Sequence, residues 1–450
     1  MRHYVIIGGG AAGMSAAEAI RSQDAGANLT LFCNEGQAYY SRPGLAYYLG
    51  GEVPRSQLFP YSQAYMRGLG ITLKSDTVTR IDPEGHQIQL KNGHLINYDR
   101  LLIASGATAV RPEVPGGDLK GVVKLDNMED ADQILSQARR GKNVVVVGGG
   151  ITALEIVEGL MARELKVHYF LRGERYWSNV LDEVESHIVE ARLKKEGVTI
   201  YYNTNLVEIL GKSGKVVGVR GKTRDAPFDL RCDLVATAIG IRPRKELAAA
   251  AGLQTERGIL VNAYLGTSHP DIFAAGDVAQ VYDPSTGEYT VDSLIAPAIE
   301  QGRLAGLNMT GLTTLYRKEV PINVTRLAGL ITTIIGTVGT ESAGDKGKNK
   351  EEQAYINRGD SETWRRHPDA VLAQNYSGEN RLRLFMSADR LVGSVIMGDQ
   401  KVSLAVQYLI RCQVDISSLR PRLLEPDAPL VQLIIRFWEE QERTYAAKIA

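Results

Sequence analysis

The chain opens on Tyr4-Val5-Ile6-Ile7, a continuous apolar run short enough for a buried strand, and then enters small residues from Ala11 to Ala17 that suit a closely packed helix. The same order returns later. Val144 to Val147 is a second apolar run, and Ile151 to Glu155 begins the helix behind it. Ala27 to Phe32 and the run from Val167 read as the strands that follow each helix. From Glu319 onward, β-branched runs alternate with turns over 320–324, 330–335, 382–386 and 391–397, which predicts a small sheet. Between them, Gly344 to Glu352 reads as a charged, glycine-broken loop, solvated and mobile. The tail from Leu430 to Ile449 carries Leu430, Ile434, Phe437, Trp438 and Tyr445 as a helical stripe on a charged background. Such a stripe must pack on something: first its own third domain, otherwise a dimer partner or an electron-transfer partner.

Glycines join each strand to its helix. Gly8, Gly10 and Gly13 have the spacing G-x-G-x-x-G, with Ala12 in the first turn, and Gly148, Gly150 and Ala153 repeat it with alanine in third place. That spacing suits a dinucleotide cradle. The first glycine permits a tight turn, the second lets the backbone approach a pyrophosphate, the third lets helix and strand pack closely, and the helix N-terminus supplies N–H donors. One such pattern also fits an ordinary strand-to-helix turn. Two on one chain predict two dinucleotides, a flavin held permanently and a nicotinamide that comes and goes.

Composition narrows the rest. A chain of 450 residues has room for about three domains at roughly 100–200 residues each. Lys plus Arg and Asp plus Glu are equal at 52, so no excess of positive charge points to nucleic acid or an acidic membrane surface. Apolar runs such as Leu327 to Val338 are broken by glycine and threonine and fall short of the ~20 residues of a membrane helix. Met1-Arg2-His3 leads straight into the first strand, leaving no room for a signal peptide, and a cytoplasmic location is expected. Cys33, Cys232 and Cys412 lie far apart, which excludes an iron–sulfur centre or a four-cysteine zinc site and confines redox chemistry to the flavin. Each is expected to be a small buried hydrophobe.

Several separate motifs over residues 1–398 carry a family resemblance. Tyr39-Tyr40-Ser41-Arg42-Pro43-Gly44-Leu45-Ala46-Tyr47-Tyr48-Leu49-Gly50-Gly51 resembles the flavin-facing loop and helix of the FAD-dependent pyridine nucleotide-disulfide oxidoreductase superfamily, especially the branch of rubredoxin reductases and nitrite reductase flavin parts. There the Ser-Arg-Pro element lies along the flavin and its phosphates, which gives Arg42 and Pro43 cofactor roles. Tyr98 to Ala107, with Ala104, Ser105 and Gly106, is similar to the second flavin motif, where the chain leaves the first domain. Thr237 to Pro243, with Gly240, looks like its returning counterpart. In Thr267 to Val278 the resemblance brings Asp277, after Gly276, onto the flavin's ribityl chain, where a short carboxylate accepts hydrogen bonds from the hydroxyls. It also implies that a helix over Pro297 to Gly306 points its N-terminus, with Pro297 and Ala298, at the flavin's pyrimidine edge. A dipole of roughly half a positive charge there stabilises the reduced flavin.

Two positions concern the riboses. The strand from Ala27 to Phe32 normally ends on an acid for the adenosine ribose; Cys33 and Asn34 stand there, and Glu35 follows as the candidate, with a solvated loop glutamate as the alternative. In the second cradle Leu171 stands where NADH enzymes put an acid, and Arg172 and Arg175 follow, suited to a 2′-phosphate. That favours NADPH over NADH, unless the arginines pair with Asp182 or Glu183 and either nucleotide serves. Glu155 corresponds by resemblance to a glutamate beside the nicotinamide and flavin rings, with a positioning role while hydride passes directly between them.

Two departures from the superfamily bear on chemistry. Pro43 stands where coenzyme A disulfide and persulfide reductases keep a cysteine, so disulfide chemistry is not expected. Tyr47 replaces the lysine of oxygenase-linked ferredoxin reductases and joins Glu155 as a candidate catalytic residue. The resemblance thus implies an α/β fold with two doubly wound, Rossmann-like domains. The FAD-binding one is expected over 1–112 and 241–318, the NAD(P)-binding one inserted over 113–240, and a small α+β dimerisation domain over 319–450, with its terminal helix at 430–449. The expected activity is hydride transfer from NAD(P)H to FAD, then electron transfer to a rubredoxin- or ferredoxin-like protein or a redox subunit, in a homodimer. Direct reduction of oxygen, a quinone or a persulfide is the alternative, and a flavoprotein subunit that senses nucleotide state through a partner is a third reading.

Overall fold

The computed structural model describes residues 1–36, 39–224, 226–338, 356, 358–365 and 370–449, apart from the side chains of 63 and 444–449. Two five-stranded parallel sheets and one five-stranded antiparallel sheet organise the chain. The first runs in the order Ile272–Ala274, Arg100–Ile103, His3–Ile7, Asn28–Phe32, Thr72–Lys74, every neighbouring pair parallel. The second runs Thr199–Tyr201, Lys166–Phe170, Asn143–Val147, Leu234–Thr237, Val122–Lys124, again all parallel. All its strands lie between residues 122 and 237, so it is inserted between two strands of the first sheet. The outgoing and returning chains meet as one antiparallel pair, Ala107–Ala109 against Ile241–Pro243.

Continuous apolar strands are what sheets covered on both faces require. On one face of the first sheet the covering helices are Ala11–Gln23 and Ile295–Met309, and small residues set their separation. A Cβ at Gly302 would stand 2.1 Å from the Ala12 carbonyl oxygen, and one at Gly306 would stand 2.5 Å from that of Ala16. The two helices therefore touch backbone to backbone. The second helix, Ile151–Met161, packs in the same way through Gly159 against Leu49 of the short helix Gly44–Gly50.

The antiparallel sheet contains the four runs read from the sequence, as Ile322–Leu327, Leu330–Gly336, Asn380–Ser387 and Arg390–Met397, plus Val371–Ser377 at one edge. Its alternation divides two cores. Ile335, Leu382, Leu384 and Met386 face the helices Ser403–Arg411 and Leu430–Ile449, while Ile334, Phe385, Val395 and Met397 join the core of the second parallel sheet. Leu430, Ile434 and Phe437 of the terminal helix are buried on this same-chain core, and Trp438 packs at its edge. The Gly344 to Glu352 loop and the Tyr445 side chain lie outside the described residues.

On the other face, Arg383 forms a buried bidentate pair with Glu185, at 2.9 and 2.7 Å, and Arg381 binds Asp182 at 2.8 Å. Trp364 meets Trp177 edge-on at 6.4 Å between centroids. The antiparallel sheet is thereby fastened to the insertion. Among the described residues no helix is long and apolar enough to cross a membrane.

Candidate functional site

The first cradle opens into a cavity of about 530 Å³ whose wall draws on all three sheets. Gly8 to Ala12, Ala104 to Gly106, Gly276 and Asp277 come from the first, Ile151, Thr152 and Glu155 from the helix of the second cradle, and Asn323 to Thr325 from the antiparallel sheet. Gly8 and Gly148 take φ of +116° and +148°, and a Cβ at either would lie 2.1–2.2 Å from a carbonyl oxygen of the neighbouring strand's turn. Only glycine fits there. Neither cradle helix has a side chain capping its N-terminus, so the first-turn N–H donors are left for an anion. Beside Gly10 the space is open to beyond 4 Å. The residues present fit a dinucleotide pyrophosphate.

Glu35 lies in the wall, but not as a free acid. Its carboxylate pairs with Arg42 and accepts from the Tyr40 hydroxyl at 2.6 Å. Arg42 reaches on to the Asp126 carbonyl at 2.7 Å, and the Met128 N–H donates to the Tyr40 hydroxyl at 3.0 Å. Asp277, half-buried in the wall, accepts from the Ser293 hydroxyl at 3.0 Å. Burial raises its carboxyl, against the pull of Arg358, Ser293 and Arg42.

Sequence reasoning missed the charged centre of this wall, Asp126. Its carboxylate, 2% exposed, binds Arg358, Arg244 at 3.0 Å and Lys124 at 3.5 Å, and accepts from Thr108 at 3.2 Å. Burial alone would raise its pKa, but Arg358, Arg244, Lys124 and Arg42 override that and hold it at about 2. These cations come from 42, 124, 244 and 358, separations at which no motif is visible. Glu155 is the opposite case. Burial and the neighbouring Glu158 push its carboxyl up to about 8, against the pull of Arg358 and Arg326.

Of the remaining predicted residues, Pro43, Tyr47 and Ala298 lie in the cavity wall. Tyr47 is 38% exposed, with the Arg326 guanidinium 5.1 Å over its ring. Gly13, Gly148, Gly150, Ala153, Gly240, Arg172, Arg175 and Pro297 stand outside the wall. Gly13 serves packing, since a Cβ there would lie 1.9 Å from the Gly8 carbonyl oxygen. Pro297 sits inside the Ile295–Met309 helix, which starts two residues earlier than expected, and Ser293, Leu294 and Ile295 line the cavity in its place. Arg175 donates to the Ser178 carbonyl at 3.2 Å, while Asp182 caps the helix Glu183–Lys195 and binds Arg381. Of the cysteines, Cys232 is buried, Cys33 is half-buried in the cavity wall, and Cys412, just past the end of the Ser403–Arg411 helix, is exposed instead of buried as expected.

Residues 2–302 match the family described as pyridine nucleotide-disulphide oxidoreductase. The chain belongs to that family. FAD and NAD(P)H are its cofactors, in agreement with the two uncapped cradles. Within the family it is 32% identical over 337 residues to an NADH oxidase of Methanocaldococcus jannaschii, covering 72% of this chain and 74% of that one. It is 26% identical over 429 residues to the assimilatory nitrate reductase electron transfer subunit of Bacillus subtilis, covering 95% of this chain and 51% of that one. The chain thus spans about half the length of that relative. Among solved structures, a ferredoxin reductase from Rhodopseudomonas palustris superposes with a TM-score of 0.79 at 25% identity, over 92% of this chain and 96% of that one.

Proposed function

We propose that the chain is an FAD-dependent NAD(P)H oxidoreductase that passes electrons from NAD(P)H to a small redox protein or a partner redox subunit. The observation that carries this is the position of Glu155: it rises from the helix of the second cradle into the wall of the cavity that serves the first. One side chain thus faces both dinucleotides. A bound flavin takes two electrons as a hydride and releases them one at a time.

The protein's own residues do the rest. Gly8, Gly10 and Ala12 receive the FAD pyrophosphate, and Gly13 keeps the helix close to the strand that carries them. Glu35 takes the adenosine ribose while it orients Arg42, which with Pro43 lies along the phosphates. Ala104, Ser105 and Gly106 form the turn beneath the flavin, Asp277 after Gly276 takes the ribityl hydroxyls, and Ile295 with Ala298 brings the helix end to the ring. Gly148, Gly150, Ala153 and Gly240 form the nicotinamide cradle, Arg172 and Arg175 favour NADPH, and Glu155 with Tyr47 borders the reacting rings. Among the described residues the wall's one cysteine is Cys33, at the Gly9 end beyond any ring contact proposed here, so no thiol relay is invoked. The antiparallel domain serves a homodimer. Relatives named as an electron transfer subunit and as a dioxygenase-system ferredoxin–NAD(+) reductase component support a protein acceptor. The NADH oxidase relative favours direct reduction of oxygen as a second reading.

An anaerobic titration of the FAD-loaded protein with NADH and with NADPH, followed by the flavin's visible absorption, tests the activity. Rapid bleaching by one nucleotide is expected, and no bleaching by either would refute it. Glu155→Ala should slow that bleaching on the order of 10²-fold while leaving FAD retention much less affected. Loss of FAD with a normal rate per bound flavin would remove Glu155 from the site.

A further inference from the structure

Behind the main cavity lies a second chamber of about 150 Å³, enclosed by the Gly44–Gly50 helix, the Ile151–Met161 helix and the strand Ile322–Leu327. Glu155, Tyr47 and Thr325 belong to both walls. Glu158 belongs only to the second chamber and lies one helical turn beyond Glu155, on the same face. At the outer side Arg326 binds Glu52 bidentately, at 2.8 Å for one of the two bonds, and covers Tyr47. That outer group is partly open to water, with Glu52 44% exposed.

We propose that Glu158 passes the reaction's proton between Glu155 and bulk water through this chamber, a role that rests on the electron-transfer function proposed above. The stoichiometry requires such a proton. NAD(P)H plus two one-electron acceptors gives NAD(P)⁺, two reduced acceptors and one H⁺: both electrons of the hydride leave singly, and its nucleus is left behind as a proton. Glu155 takes that proton as it yields its own to Glu158, and Glu158 releases it to the chamber. With oxygen as a two-electron acceptor one proton travels the same way inward.

The electrostatics suit an outward path. Glu155 is held at about 8 and Glu158 at about 7, in each case by burial first. Facing Glu158 are Arg326, the Gly329 backbone, Glu52 and Arg192, while Glu155 faces Glu158, Arg358 and Arg326. Near neutral pH the inner group therefore carries a proton and the outer one is about half ionised, as a relay needs. The buried Tyr176 hydroxyl, which feels both carboxylates, has no hydrogen-bond partner among the described residues.

The test uses FAD-loaded protein reduced with NAD(P)H and mixed with ferricyanide, with flavin absorbance and a pH-indicator dye read together. In Glu158→Gln, proton release should lag electron transfer on the order of 10²-fold, and Glu158→Asp should restore part of it. A packing role for Glu158 would produce neither the lag nor the rescue. Infrared titration of the carboxylic acid carbonyl, on protein with and without FAD, should show bands titrating near neutral pH, one of which Glu158→Gln removes. Proton release in step with electron transfer in Glu158→Gln, or no such band in the wild type, overturns the relay. If NAD(P)H fails to bleach the flavin, the electron-transfer function falls, and the infrared titration still judges the relay.

Discussion

The two glycine cradles share one backbone and differ in what surrounds them. At Gly8 and Gly148 φ is positive and a Cβ would lie 2.1–2.2 Å from a carbonyl oxygen. Beyond the turn the likeness ends. The first cradle is covered by a second helix at backbone contact, and its cavity is walled by residues of the first sheet and its turns, of the second cradle's helix and of the antiparallel sheet. Gly148, Gly149 and Gly150 lie outside that wall, and Gly149 is exposed. The same local motif thus suits a resident ligand when later segments close over it, and an exchanging ligand when they do not.

Breaking the cover should have the largest effect. Gly302→Val forces a side chain into the Ala12 backbone, which cannot move without displacing the first cradle. A loss of about 3 kcal/mol or more is expected, together with most of the bound FAD, read by thermal unfolding and by flavin content of the purified protein. Gly149→Ala is the counterpart in the open cradle, where a Cβ would meet nothing within 4 Å. It should change stability by less than about 0.5 kcal/mol. Equal losses in the two variants would end the distinction drawn between the cradles.

Next comes the ionic seal of the closed cavity. Asp126→Asn removes the charge shared by Arg358, Arg244, Lys124 and Arg42, and because those cations are partly solvated the expected cost is about 2 kcal/mol, below that of a fully buried pair. The pH dependence has a definite sign. A carboxyl held at about 2 in the folded protein, against about 3.9 unfolded, contributes its stability above pH about 4 and loses it as pH falls toward 2. Denaturant midpoints of wild type and variant should therefore differ at neutral pH and converge in acid. A gap that stayed constant down to pH about 2 would show that packing, and not charge, is what Asp126 supplies.

That seal also marks the limit of what could be read beforehand. The cradles and four of the five antiparallel strands rest on local patterns, namely apolar or β-branched runs, glycine spacing and turns, while the insertion of one sheet in the other was implied by the family resemblance. Those patterns act over a few residues, so they are visible in a linear chain. Asp126 and Arg358 carry no such pattern, because their meaning comes from a fold that brings together residues 232 positions apart. Val371–Ser377 was missed for a related reason: it is an edge strand with alternating exposed positions and no continuous apolar run. Pro297 shows the same limit on a smaller scale, since a helix start displaced by two residues turns a different set of side chains toward the cavity.

The smallest expected effect concerns the open cradle alone. Arg172 follows the strand Lys166–Phe170 and the buried Leu171, and it is exposed at the place where a ribose 2′-substituent would meet the strand end. Arg175, three residues on, donates to the Ser178 carbonyl at 3.2 Å. Arg172→Ala should weaken NADPH about tenfold, roughly 1.4 kcal/mol, with little change for NADH, when the two are compared as dissociation constants on the FAD-loaded protein. An effect confined to NADPH would assign the open cradle's selectivity to one surface cation. Equal weakening of both nucleotides would mean that Arg172 meets a group common to both, and the preference for NADPH would have to be given up.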